Sequence, residues 1–153
     1  MSDTHLKSGK NLPVSFTSRV SREDLIIHLG DFISLKVVKR LKSIARLEAV
    51  SGNCDPPEIT DVFPRHKIIN LDGLKIGLMH GSGAPSITIE TAKKEFESKV
   101  DIALFGHTHV SCHLRSGPTL FFNPGSLTEG RGNGSGYGLL HLEREPWAET
   151  IET

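Results

Sequence analysis

Cysteine is scarce in this chain, with only Cys54 and Cys112 among 153 residues. They are far apart and in no paired spacing, which argues against a disulfide scaffold or a thiolate zinc cluster and fits a reducing, cytoplasmic setting. Net charge is also lacking. Eighteen Lys/Arg balance eighteen Asp/Glu, so no large field draws in nucleic acid or a membrane surface. No apolar run approaches the roughly 18 residues a membrane span needs. Charged and polar residues appear at once after Met1, so no signal peptide is expected. Internal repeats and low-complexity tracts are missing too. The length suits one domain, 1–153, able to bury a core without staples.

What is present is a series of short apolar runs that stop abruptly in polar corners. Residues 25–29 run into Gly30-Asp31, 47–50 into Ser51-Gly52-Asn53-Cys54-Asp55, 74–79 into His80-Gly81, and 102–105 into Gly106-His107-Thr108-His109. Such runs read as buried strands. Ser34 is placed to cap a helix over 34–45, with Leu35, Val38, Leu41 and Ile44 at helical spacing. A second helix is expected over 85–99. Asp72-Gly73 signals a tight hairpin between 67–71 and 74–79. Further hairpins are expected from 110–115 with 119–122, and from 136–142 with 147–151. The glycine-rich stretch 130–138 reads as a mobile loop. The sum is an α/β protein with mixed sheets and helices outside. In such folds ligands gather beyond the carboxyl ends of strands, where every polar corner falls.

Taken in order, the corners and the first residues supply Asp3, His5, Asp31, Asn53, His80, His107 and His109. Oxygen and imidazole donors suit borderline ions such as manganese, iron or zinc, and are too nitrogen-rich for calcium. Seven donors exceed the needs of one ion, whereas two ions sharing a carboxylate would use them all. A metal pair about 3.5–4 Å apart is a known device for phosphate-ester hydrolysis. Each piece alone is an ordinary turn or strand end; their conjunction carries the argument.

The spaced set Asp3-Thr4-His5, Gly30-Asp31, Gly52-Asn53-Cys54-Asp55, His80-Gly81, Gly106-His107-Thr108-His109 and Asn123-Pro124-Gly125-Ser126 resembles the calcineurin-like metallophosphoesterases, and within them the small YfcE-type phosphodiesterases. The resemblance covers essentially the whole chain. It implies a four-layer α-β-β-α sandwich of two mixed β-sheets flanked by helices. It also implies two ions, usually manganese, with iron, nickel, cobalt or zinc as substitutes. Asp3, His5, Asp31 and His109 would hold the first; Asp31, Asn53, His80 and His107 would hold the second, with Asp31 bridging. A hydroxide between two divalent ions attacks phosphorus near neutral pH, because each metal lowers the pKa of bound water. Asn53 could also donate to the phosphate. The expected substrate is a small phosphodiester; oligomeric state stays open.

Two features depart from the family pattern. Larger relatives carry a histidine where Cys54 stands, thought to protonate the leaving group. A thiol is a poor acid at neutral pH, which favours esters with good leaving groups. The family also places an apolar strand before Asp-x-His, where this sequence has only Met1 and Ser2. Either the sequence begins late in its first strand or the sheet lacks most of one central strand; in the second case Asp3 and His5 are expected to be loosened. Asp55 is expected to brace its loop with Pro56 and Pro57. Arg131 is a candidate contact for a substrate phosphate, against the blander reading of a solvated arginine. His28 reads as a core residue; His66, His113 and His141 read as surface or strand positions, and Cys112 as a half-buried strand residue. A retromer subunit of the same fold serves as a protein-binding scaffold, with eroded ligands; all seven positions are intact here. A metal-dependent nuclease shares the chemistry but needs a basic groove, and no Lys/Arg cluster flanks the motifs.

Overall fold

The computed structural model describes residues 1–131 and 134–153. In chain order it contains α1 (Val14–Thr17), β1 (Leu25–His28), α2 (Leu35–Ile44), β2 (Arg46–Ala49), α3 (Pro57–Thr60), β3 (His66–Leu71), β4 (Leu74–Met79), α4 (Pro85–Phe96), β5 (Ile102–Phe105), β6 (Ser111–Ser116), β7 (Thr119–Pro124), β8 (Gly136–His141) and β9 (Trp147–Glu152). The expected helices and hairpins form within a few residues of their expected bounds. The Ser34 hydroxyl caps α2 by accepting the Lys36 amide at 3.2 Å, and Val37, Val38 and Leu41 form its buried face. Pro85 opens α4, where its missing N–H costs nothing, and Thr88, Ala92 and Phe96 bury at four-residue intervals.

One sheet has five strands in the order β3-β4-β5-β7-β6. It is mixed: β4, β5 and β7 run parallel, with antiparallel β3 and β6 at its edges. The facing layer is built in two pieces, parallel β1-β2 and antiparallel β8-β9. Backbone bonds thread the pieces together at the end that bears the polar corners. The Met1 nitrogen donates to Ile27 O (2.9 Å), Leu29 N to Met1 O (3.0 Å), Leu127 N to Ser2 O (3.0 Å) and Gly136 N to Ser126 O (2.8 Å). An apolar cavity of about 330 Å³ runs between β1 and β8, lined by Leu25, Ile27, Leu104, Phe122 and Leu140 among others. The loosening of Asp3 and His5 that was expected is not observed. Asp3 N bonds Gly30 O (3.0 Å), His5 N bonds Asp31 O (3.1 Å), and Asp3 is fully buried.

Three apolar clusters stack the layers. Ile76, Leu78, Ile102, Leu104 and Leu120 meet Leu29, Val50 and Ala148 between the sheets. Ile26, Val38, Leu41, Ala49, Ile59 and Phe63 pack helices on one outer face, and Ala92, Phe96, Ala103, Phe105 and Phe121 pack α4 on the other. The molecule is an α/β sandwich of two mixed layers flanked by helices. Residues 136–138, where the expected loop 130–138 and the expected strand 136–142 overlap, belong to β8, with Gly136 tied to Ser126; 132–133 of that expected loop lie outside the described residues. Among the described residues, no helix is long and apolar enough to cross a membrane.

Candidate metal centre

The carboxyl ends of β1, β2, β4 and β5 deliver their polar corners to one place, where residues 1–5 join them. Side-chain bulk is excluded at two crossings. A Cβ on Gly52 would collide with the backbone and carboxylate of Asp31, and one on Gly106 with the Ser2 hydroxyl. The turns are also strained. Asp3, His5, Asp31, His107 and His109 all have φ between 45° and 71°, a left-handed region that costs non-glycine residues of order 1–3 kcal/mol each. Five of the seven expected ligands sit there. Their surroundings, not their own backbone preference, hold them in place.

Asp3 Oδ1 is the focus. It is buried and has no hydrogen-bond partner, although Nε2 of His109 lies 3.3 Å away, that of His5 3.8 Å and that of His80 3.9 Å. Asp31 Oδ2 stands 3.4 Å from His80 Nε2 and 3.6 Å from His5 Nε2. The Nε2 atoms of His5 and His109 face each other at 3.2 Å. Asn53 Oδ1 lies 3.1 Å from His80 Nε2 and 3.0 Å from His107 Nδ1. Ligand atoms of Asp3, His5 and His109, and again of Asp3, Asp31 and His80, are mutually within 4.8 Å. All seven expected residues therefore converge, with His107 joined through Asn53.

Backbone carbonyls fix how the rings present themselves. Nδ1 of His80 donates to Leu29 O (2.6 Å) and Nδ1 of His109 to Glu129 O (2.9 Å). A neutral ring that donates from Nδ1 keeps its lone pair on Nε2, the atom aimed at the carboxylates. His107 is turned round: Nε2 donates to Gly83 O (3.0 Å), leaving Nδ1 basic. Such outer contacts set tautomer and ring orientation at metal sites. By the same logic His28 is no ligand. Its Nδ1 accepts the Gly30 amide (3.2 Å), Nε2 meets Thr4 Oγ1 (3.2 Å) and the ring stacks on Phe32. It is the satisfied core residue expected.

The electrostatics are those of a cation site. Burial pushes the Asp3 carboxyl up, but His109, His5, His80 and the Ser2 hydroxyl outweigh it and hold the group well below the usual carboxylate range. For Asp31 burial is likewise outweighed, by His80 and by the Cys54 amide at 2.8 Å. His5 and His109 are raised, chiefly by Asp3, and His80 is raised by Asp31 and Asp3 against its burial. A divalent ion among these oxygens would take over the role of those protons and release them.

Several supporting residues carry more than their motifs suggested. Asp55 braces the loop, as expected, by accepting the amides of Asp31 (2.9 Å), Gly52 (2.8 Å) and Ile33 (2.8 Å). Buried Asn123 donates to Gly106 O and Thr108 Oγ1, both at 3.0 Å. Ser126 Oγ donates to Asp3 O (2.7 Å). The last two were visible only as a family motif, since nothing in their spacing points to a brace. Cys54 is exposed; desolvation and the neighbouring Asp31 push its thiol up to about 11. Arg131 is exposed at the mouth, its amide bonded to His109 O (2.9 Å).

A helix-flanked α/β sandwich whose strand ends gather buried Asp and His around an orphaned carboxylate oxygen is consistent with a metal-dependent hydrolase. The model of the calcineurin-like phosphoesterase superfamily domain matches residues 1–145, and the chain belongs to that family. It is 34% identical over 133 residues to a probable metallophosphoesterase of Methanocaldococcus jannaschii, covering 84% of this chain and 66% of that protein. It is 29% identical over 113 residues to phosphodiesterase YfcE of Escherichia coli, covering 69% of this chain and 58% of that protein. The chain thus spans less than two thirds of the length of these two relatives. Among solved structures, vacuolar protein sorting 29 of Cryptosporidium parvum shares the fold with a TM-score of 0.75 at 23% identity, covering 100% of this chain and 96% of that one. That likeness is one of fold alone: what is shown is a calcineurin-like phosphoesterase-superfamily domain, not specifically one of the YfcE type.

Proposed function

We propose that the chain hydrolyses small phosphodiesters at a two-metal site, as an enzyme of the YfcE type working in the cytoplasm as a single domain. The observation that supports this best is Asp3 Oδ1, buried without a hydrogen-bond partner among three inward Nε2 atoms. An anionic oxygen left in that state is costly unless a cation answers it. The donor set suits manganese, with iron, nickel, cobalt or zinc as substitutes. Asp3, His5, Asp31 and His109 would hold one ion; Asp31, Asn53, His80 and His107 would hold the other. When bound, the pair supplies a water of lowered pKa and neutralises charge on the phosphate.

The chain's own groups do the rest. Asn53 turns Oδ1 towards the lone-pair nitrogens of His80 and His107, as a shared ion would require, and keeps its amide on the open side, where it donates to Cys54 Sγ at 3.3 Å and would donate to a phosphate oxygen. Arg131 at the mouth offers a second positive contact. Cys54, its thiol pushed up to about 11, gives up a proton poorly near neutral pH, so substrates with good leaving groups are favoured. Scaffolding of the Vps29 kind is supported by likeness of fold alone; intact ligands favour chemistry.

The test is turnover of bis-(p-nitrophenyl) phosphate against an alkyl phosphate monoester with manganese, nickel, cobalt and zinc. The activated diester should be cleaved faster. His107→Ala should melt within about 1 kcal/mol of wild type with chelator present and lose at least about a hundredfold in kcat/KM. Wild-type turnover by that variant removes the assignment, and no turnover of any ester with any of the ions removes the enzyme reading.

A further inference from the structure

Cys54 stands apart from the donors above. Its sulfur, a carboxylate oxygen of Asp31 and a ring nitrogen of His5 all lie within 4.8 Å of one another. This is as tight as the two groups that define the centre, yet sulfur belongs to neither proposed ligand set. The placement is held on two sides. Cys54 N donates to Asp31 Oδ1 at 2.8 Å, and Asn53 Nδ2 donates to Sγ at 3.3 Å, so the sulfur accepts inside the site. The side chain is exposed at the mouth that His5, Asp31, Asn53 and His109 also line. The orphaned Asp3 Oδ1 provides a second, independent sign of a cation beside His5.

We propose that Cys54 is an additional metal ligand on the His5–Asp31 side of the centre, making that position selective for sulfur-seeking ions such as cobalt, zinc and cadmium over manganese. The inference rests on the metal-centre reading above. On ligation the S–H bond breaks, its proton passes to buffer, and a sulfur–metal bond forms. No oxidant or reductant takes part. A single thiolate added to an otherwise O,N-donor set raises affinity for soft ions and leaves hard ones little changed.

The test is titration of the full chain with cobalt alone and with cadmium alone, following the visible cobalt absorption and the ultraviolet sulfur-to-metal charge-transfer band. Wild type and Cys112→Ser should both show the band. Cys54→Ser should keep the visible cobalt absorption, lose the band, and bind cadmium about tenfold or more weakly, with manganese affinity within about twofold. Circular dichroism checks the fold, and Cys54→Ala serves as a second variant. Cobalt binding without the band, or a band that survives in both Cys54 variants, overturns the proposal and leaves the metal centre standing. No binding of cobalt, cadmium or manganese at all overturns the metal centre, and this ligand with it.

Discussion

At the scale of single residues, backbone carbonyls decide which nitrogen each of His80, His107 and His109 turns towards the carboxylates and Asn53. Asp3, His5, Asp31, Asn53, His80, His107 and His109 stand out in the sequence as donor side chains in polar corners, and the structure brings those side chains together. The carbonyls that fix the rings, Leu29 O, Glu129 O and Gly83 O, carry no residue signature, since every residue has one. His28 shows the same limit, and it gives a pH prediction. Burial and the nearby N-terminal amine hold its pKa well below the ordinary value, so it is neutral when folded and gains a proton when unfolded. The unfolded state then binds more protons below about pH 6.5, and stability is lost as pH falls through that value. His5, His80 and His109 have raised values and act oppositely, adding stability at low pH that is lost as pH rises. The difference between wild type and His28→Gln isolates the first effect. From pH 7 to 5 with chelator present, urea unfolding should show wild type losing up to about 1.4 kcal/mol per pH unit more than the variant. Parallel curves would mean that His28 is charged in the folded state.

At the scale of elements, hydrophobic period and turn chemistry were good guides. The α2 cap at Ser34, the Asp72-Gly73 turn and the helix begun by Pro85 all lie where local rules put them, because each depends on a few adjacent residues. The division of one layer into β1-β2 and β8-β9 was hidden. It depends on which distant backbones share hydrogen bonds, Met1 with Ile27 and Ser126 with Gly136, and no periodicity encodes that. The corners themselves can be tested by two glycines of different kind. Gly52 has no room for a Cβ because Asp31 backbone and carboxylate atoms fill it, whereas Gly73 has open space but a φ of 83°. Gly52→Ala should displace Asp31 and weaken manganese binding by about tenfold or more, at a stability cost of about 1–3 kcal/mol. Gly73→Ala should cost about 1 kcal/mol through backbone strain alone, with manganese affinity unchanged by titration calorimetry. Equal manganese affinity in both variants would contradict the tight crossing of Gly52 and Asp31.

At the scale of the whole molecule, the layers do one job: they bring four strand ends and the first five residues to one edge and bury the carboxylates there. The strain of five left-handed Asp and His residues is held against that packing, so the fold supports the site at some cost to itself. A cation that binds only the folded state returns stability by mass action. Melting temperature should therefore rise with manganese and fall with chelator in wild type, and respond much less in Asp31→Asn. The most direct test of the central claim is metal content combined with anomalous scattering on crystals of the manganese-loaded chain. Two ions per chain are expected, with Asp31 between them and Asp3 on one. A single ion at full occupancy under saturating manganese, with Asp31 turned away from it, would contradict the account.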